Sequence, residues 1–273
     1  MILIVGADGE MGSCLLEEAR ARPLECAGTS RRPDSRYRVD LLQPTSAWAL
    51  PARVDAAILS AGITNLRACE ENPAATRAVN IEGIKRLADS LAQRGATLTF
   101  LSSSAVFSGV IHSPDETAPV SPVSEYGHQK AEIEAWLANA HPTAKIVRLT
   151  KVVSQESPRL REWATSLRQG KPIHAFGNLF ASLISRKHTA QALLSISTAP
   201  ASGIFHLSAS DAISYFQTAR GLASALGTSP ALVIESSAPH PNKPEETVLA
   251  IRRTLPAVFS RMSSQQHLAE VLL

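Results

Sequence analysis

Apolar and polar positions come in blocks along the first half of the chain, and the blocks alternate in kind. Ile2 to Val5 is an unbroken apolar run of a strand's length, which predicts a strand buried on both faces. Ser13 to Arg22 follows with helical spacing, Leu15, Leu16 and Ala19 falling on one face. Leu24 to Ser30 reads as a second strand, Tyr37 to Val39 as a short third, and Asp55 to Ser60 as a fourth. A helix is expected from about Ala74 to Arg94, its inner face carrying Ile84, Leu87, Ala88 and Leu91. Thr97 to Leu101 predicts a fifth strand. Gln129 to Ala140 predicts a helix through Ile133, Trp136, Leu137 and Ala140, and Lys145 to Leu149 a sixth strand. Strands that alternate with helices in this way specify a doubly wound parallel α/β sheet with right-handed crossovers.

Beyond Lys151 the pattern loosens. Pro158 to Gln169 and His188 to Ser197 read as helices, and Gly170 to Leu183 as a loop with little strand character. Gly203 to Leu207 reads as a strand returning to the sheet. Ile213 to Leu273 carries helical segments interrupted by the proline-rich stretch from Ala238 to Pro244. The expected organisation is a dinucleotide-binding Rossmann domain over 1–153, completed by a strand at 203–208, with 154–273 forming most of a small substrate-binding portion.

The break after the first strand carries chemistry. Gly6, Gly9 and Gly12 stand three apart between a strand and a helix N-terminus. Gly6 suits a tight turn, Gly9 lets backbone N–H groups approach a phosphate, and Gly12 lets the helix pack close to the strand, as a dinucleotide pyrophosphate site requires. An NAD site expects an acid at the end of the second strand to bond the ribose 2′-hydroxyl. Here Ser30, Arg31 and Arg32 stand there instead, suited to a 2′-phosphate, and Glu25 lies too early in the strand. NADP is therefore expected over NAD.

Composition narrows the setting. The chain has 273 residues, 44% hydrophobic and 19% charged, with a formal charge of +3, too small and dispersed to argue for nucleic acid. Cys14, Cys26 and Cys69 show no metal-ligand spacing, so no metal is expected and a reduced, cytoplasmic setting fits. No apolar run reaches the roughly 18 residues of a membrane span.

After the fifth strand the chain reads Ser102-Ser103-Ser104, then Val106-Phe107, then Tyr126 with Lys130 four residues on, one turn away on a helix. With the glycine turn, these residues resemble the extended short-chain dehydrogenase/reductase family. Asp40-Leu41 and Val79-Asn80-x-x-Gly83 make the chain most similar to its dTDP-4-dehydrorhamnose reductase branch, well to about residue 153 and thinly beyond. The resemblance implies an NAD(P)-dependent reductase or epimerase acting on a nucleotide-linked sugar; the rival reading is a cofactor-binding regulatory protein that kept the fold and lost turnover. It implies Ser103, Tyr126 and Lys130 as catalytic, with Ser102 and Ser104 close enough to keep the register open. Tyr126 would exchange a proton with the substrate oxygen, Lys130 would lower its pKa and bond the nicotinamide ribose, and Ser103 would bond the same oxygen. The cofactor would also meet Glu10 and Met11 in the turn, Asp40 and Leu41 at the adenine, and Ser60, Ala61, Gly62 and Asn80 along the inner wall. Dehydratases of the family place Asp-Glu after the catalytic Thr and the reductase branch places Asp-Tyr; here Ser104 and Ala105 stand there, so elimination lacks its acid and base. Much of the family dimerises through the helix carrying Tyr126, but Trp136 and Leu137 fit the chain's own core equally well, leaving a homodimer open. Arg159, Arg161, Arg168 and Lys171 are candidate diphosphate partners or a solvated helix face.

Overall fold

Strand β1 (Ile2–Val5) is buried at all four positions and is flanked on both sides, by β2 (Cys26–Gly28) and β3 (Ala56–Leu59), in parallel register. The computed structural model describes residues 1–109, 111–238, 248–252 and 261–272. Its central sheet continues through β4 (Thr97–Ser103) and β5 (Lys145–Leu149) to a strand at Gly203–Leu207, all parallel. That last strand comes tenth in the chain and is labelled β10. The order β2-β1-β3-β4-β5-β10 turns back at β1, so a crevice opens between the carboxyl ends of β1 and β3.

Helices cover both faces. Helix α1 (Glu10–Arg20) packs against α7 (Arg186–Thr198) on one side, around Ile4, Leu15, Leu193 and Phe205. On the other side lie α2 (Leu66–Glu71), α3 (Pro73–Arg77), a π-helical turn at Ala78–Gly83, α4 (Ile84–Ala92) and α5 (Glu125–Ala140). Ile84, Leu87, Ala88 and Leu91 are all buried, as their spacing requires. Leu137 is buried and Trp136 packs against the same core, so both face their own chain.

The structure departs from the sequence pattern in four places. The expected third strand is reduced to one bridge, Ser30 to Arg38, because Pro33 and the polar run after it leave too few residues to pair. The long helix from 74 is three segments, the middle one π-helical. Helix α5 starts at Glu125, four residues before the expected Gln129, because Ser124 caps it by accepting from Gly127 N at 3.1 Å. The stretch from Gly170 to Leu183 is not a plain loop: it carries β7 (Ile173–Phe176) and β8 (Phe180–Ala181), and β9 (Leu183–Ser185) begins there.

These short strands build the second part of the molecule. β9 pairs with β6 (Lys151–Val153), β7 with β12 (Val233–Ser236), and β8 with β11 (Ile213–Ser214), each as a separate two-stranded sheet. Helices α6 (Pro158–Arg168), α8 (Tyr215–Ala225) and α9 (Ser264–Leu272) pack on them around Leu160, Trp163 and Leu222. Residues 239–244 of the proline-rich stretch lie outside the described residues. Among the described residues no helix is long and apolar enough to cross a membrane.

Candidate active site

The glycine turn behaves as its spacing demands at two positions. Gly6 has φ +81°, and a Cβ there would sit 2.8 Å from Ala61 Cα. A Cβ on Gly12 would overlap the Gly6 carbonyl, so only glycine lets α1 approach β1 this closely. Gly9 caps α1 without a side chain, which leaves the first-turn N–H groups unclaimed by a cap, at the positive end of the helix. Beside this turn, at the β1/β3 crevice, lies a cavity of about 400 Å³.

Gly6, Gly9, Ser30, Arg31, Asp40, Leu41, Ser60, Ala61 and Gly62 all line that cavity. These residues fit a dinucleotide: a turn that admits phosphate, a cation at the end of β2, and an apolar wall of Leu41 and Val79 opposite. The other residues named for the cofactor stand elsewhere. Met11 packs against the core, and Glu10 turns away to accept from Ser154 Oγ at 2.6 Å. Asn80 is buried in the π-helical turn, where its amide accepts from Ile63 N at 2.7 Å and donates to Ile63 O at 2.9 Å and to Gln129 Oε1 at 2.7 Å. It thus fixes the Gly62–Ile63 wall from behind. A π-turn at such a place often marks a functional site.

Asp8 is the residue the sequence reading missed. It lines the cavity, accepts from Ser30 Oγ, and has Arg32 Nε at 3.7 Å. An acid therefore does stand at the end of β2, supplied by the turn and not by the strand. Arg32 is turned toward it, while Arg31 faces the cavity. The only signal was the polar residue between Gly6 and Gly9, whose partner lies 22 residues away.

Residues from β4 and α5 meet further along the same sheet edge. Ser103 ends β4 close enough to the Tyr126 hydroxyl to favour its phenolate, while its Oγ accepts from Ala105 N at 3.2 Å. Ser102 is buried and donates to Glu134, so it does not compete for that place. Lys130 Nζ donates to Leu101 O at 2.7 Å and stands 4.5 Å from the Phe100 ring centre and 5.6 Å from that of Tyr126. The expectation that Lys130 pulls the phenol down is not met. Burial pushes the Tyr126 phenol up to about 12, with the Ser103 bond opposing it, and burial lowers Lys130 to about 8 against the pull of Glu134. At neutral pH both groups hold their protons, so the phenol is poised to give a proton to an oxygen.

A second cavity, of about 140 Å³, lies against the first turn of α1 on the side of the short sheets. Glu10, Lys151, Arg159, Trp163 and Tyr215 line it. Arg159 lies 5.8 Å from both the Trp163 and Tyr215 ring centres, and those rings meet edge to face at 6.3 Å. Of the four basic residues named in this portion, Arg159 lines this cavity; Arg161, Arg168 and Lys171 do not.

Comparison with known proteins agrees with this architecture. A dTDP-4-dehydrorhamnose reductase of Sinorhizobium fredii is 28% identical over 227 residues, 78% of this chain and 74% of the relative. The probable low-salt glycan biosynthesis reductase Agl14 of Haloferax volcanii is 25% identical over 251 residues, 86% of this chain and 82% of the relative. The crystal structure of a Bacillus anthracis dTDP-4-dehydrorhamnose reductase in complex with NADP matches with TM-score 0.87 at 17% identity, covering 99% of this chain and 96% of that one. MoeE5 in complex with UDP-glucuronic acid and NAD matches with TM-score 0.82 at 19% identity, over 99% and 97%. These two likenesses show the Rossmann-type fold. The family described as the RmlD substrate binding domain matches residues 1–272, and the chain belongs to it.

Proposed function

We propose that this protein is an NADP-dependent reductase of a keto group on a nucleotide-linked sugar, with Ser103, Tyr126 and Lys130 as its catalytic residues. The reading rests above all on the meeting of these three side chains on the sheet edge that also carries the glycine turn and its cavity. The names of the relatives, both reductases, support it.

Bound nicotinamide would supply hydride to the substrate carbon. The chain's own residues then handle the proton. Ser103 donates a hydrogen bond to the carbonyl oxygen where charge develops, and Tyr126, protonated at pH 7, gives that oxygen its proton. Lys130 leaves a positive charge beside the phenolate so formed. Arg31, which lines the cavity at the end of β2, would bind a 2′-phosphate, and the first turn of α1 with Gly9 would hold the pyrophosphate. Arg159, held by two aromatic rings in the second cavity, is the side chain we assign to the substrate's diphosphate. Ser104 and Ala105 offer no acid or base for loss of water.

The test is incubation with NADPH and a panel of nucleotide-linked keto sugars, following cofactor absorbance and product mass. NADPH consumed in step with a product heavier by two hydrogens supports the reductase. An isomeric product without net cofactor use replaces it by an epimerase, and a product lighter by one water overturns it.

A further inference from the structure

One buried carboxylate beneath this site is not used by the mechanism above. Glu134 lies one turn beyond Lys130 on α5 and is 5% exposed. Ser102 Oγ donates to its Oε1. Arg148 of β5, 2% exposed, donates from Nε to both carboxylate oxygens at 3.1 Å and from Nη2 to Oε2 at 2.7 Å. The guanidinium lies 4.9 Å from the Phe107 ring centre, with Nη1 3.4 Å from His206 Nε2. His206 Nδ1 donates to Ala250 O at 2.9 Å, so Nε2 is the ring nitrogen left to accept from Arg148.

A fork of this kind is an expensive way to fill a core, since two apolar residues of equal volume pack as well without losing hydration. Apolar residues do not, however, set a charge next to Lys130. The titratable groups that face Lys130 are Tyr126 and Glu134 on its own helix and Cys69 of α2, with Arg148 and His206 behind Glu134. Resting on the reading of Lys130 given above, we propose that Glu134 is a positioning residue: its carboxylate holds the Lys130 ammonium charged, Arg148 limits how strongly it does so, and its bond to Ser102 fixes the end of β4 that presents Ser103.

The arrangement predicts opposite effects from its two halves. Glu134→Gln leaves Arg148 as an uncompensated cation behind Lys130 and lowers the lysine's midpoint. Arg148→Met frees the carboxylate and raises it. The double variant returns it toward wild type. The experiment is a pH titration of the Lys130 Nζ resonance by ¹⁵N NMR in the full chain, the signal assigned by its loss in Lys130→Met. Expected shifts are about one pH unit or more, downward in Glu134→Gln and upward in Arg148→Met, with the double variant within about half a unit of wild type. A Lys130 midpoint unmoved in either folded single variant, or moved the same way in both, overturns the inference. Should Glu134→Gln fail to fold, the direction of the Arg148→Met shift decides. Full keto-sugar reduction by Lys130→Met would remove the proposed function, but the charge linkage would still be read from the titration.

Discussion

The cavity beside the glycine turn and the cavity beside Arg159 are built by different rules. Most of the first cavity's lining comes from residues that directly follow a strand: Gly6 after β1, Ser60 to Gly62 after β3, Ser30 and Arg31 just beyond β2. Parallel register does the rest, because Val5 pairs with Leu59 and Leu59 with Phe100, so these strand ends emerge together. The second cavity draws on α1, β6, α6, β8, β9 and α8, elements joined through two-stranded sheets whose partners are as far apart as Lys151 and Leu183 or Ala181 and Ile213. A regular sheet therefore brings short local motifs to one edge automatically, whereas an irregular lobe must assemble its site contact by contact. The first kind of site is expected to tolerate changes in the second portion, and the second kind to be sensitive to them.

The largest effect expected is on the sheet-edge site. Tyr126→Phe keeps the ring and removes the hydroxyl, so turnover should fall by roughly 10²–10⁴-fold while the NADP dissociation constant stays within about twofold. Equal loss in cofactor binding, by fluorescence titration, would show that the residue holds the cofactor and does not move the proton.

Stability should separate the two portions by pH. His267 on α9 is fully buried against the His188 ring, and burial, reinforced by His188, lowers its pKa to about 4. The unfolded chain takes up that proton near pH 6.5, the folded one only near 4. The stabilisation is therefore complete above about pH 6.5 and is lost as the pH falls toward 4, on the order of 3 kcal/mol in all. Urea midpoints at pH 7 and 4.5 check this. His267→Leu should flatten the difference, and an unchanged slope would place the acid sensitivity elsewhere.

Cofactor choice sharpens the account of the first cavity. Arg31→Ala should weaken NADP binding by about 10–150-fold, the 1.5–3 kcal/mol of a charged hydrogen bond, and leave NAD within about twofold. Asp8→Asn removes a negative charge from the end of β2 and should tighten NADP several-fold relative to NAD. Wild-type preference for NAD would instead make Asp8 the ribose-binding acid.

The smallest effect is expected in the second cavity. Arg159→Ala should raise KM for the sugar nucleotide by about 3–30-fold and leave the NADP dissociation constant alone. An effect on cofactor affinity of the same size would mean that the two cavities are coupled through Glu10, whose carboxylate ties α1 to Ser154.

Much of the first portion was legible in the chain because the forces that specify it are local. An apolar run such as Ile2–Val5 has to be buried on both faces, Gly12 has to lack a side chain to clear the Gly6 carbonyl, and a Tyr–Lys pair four apart has to share a helix face. The same logic picked the return of Gly203–Leu207 to the sheet. It failed for β7 and β8, since Ile173–Phe176 and Phe180–Ala181 form no unbroken apolar run like that of β1 and are held by partners 30–60 residues away.

By itself, then, the sequence determined the parallel sheet, the turn at its edge and the spacing of Tyr126 and Lys130. Only the tertiary structure decided what those residues stand beside: Asp8 at Ser30, Ser103 and not Ser102 at the phenol, Glu134 and Arg148 beneath Lys130, and Arg159 between two rings. Steric and periodic requirements act over a few residues and leave a trace in the order of amino acids. Burial and the charge of a neighbour act through space, and it was these that pushed Tyr126 up instead of down.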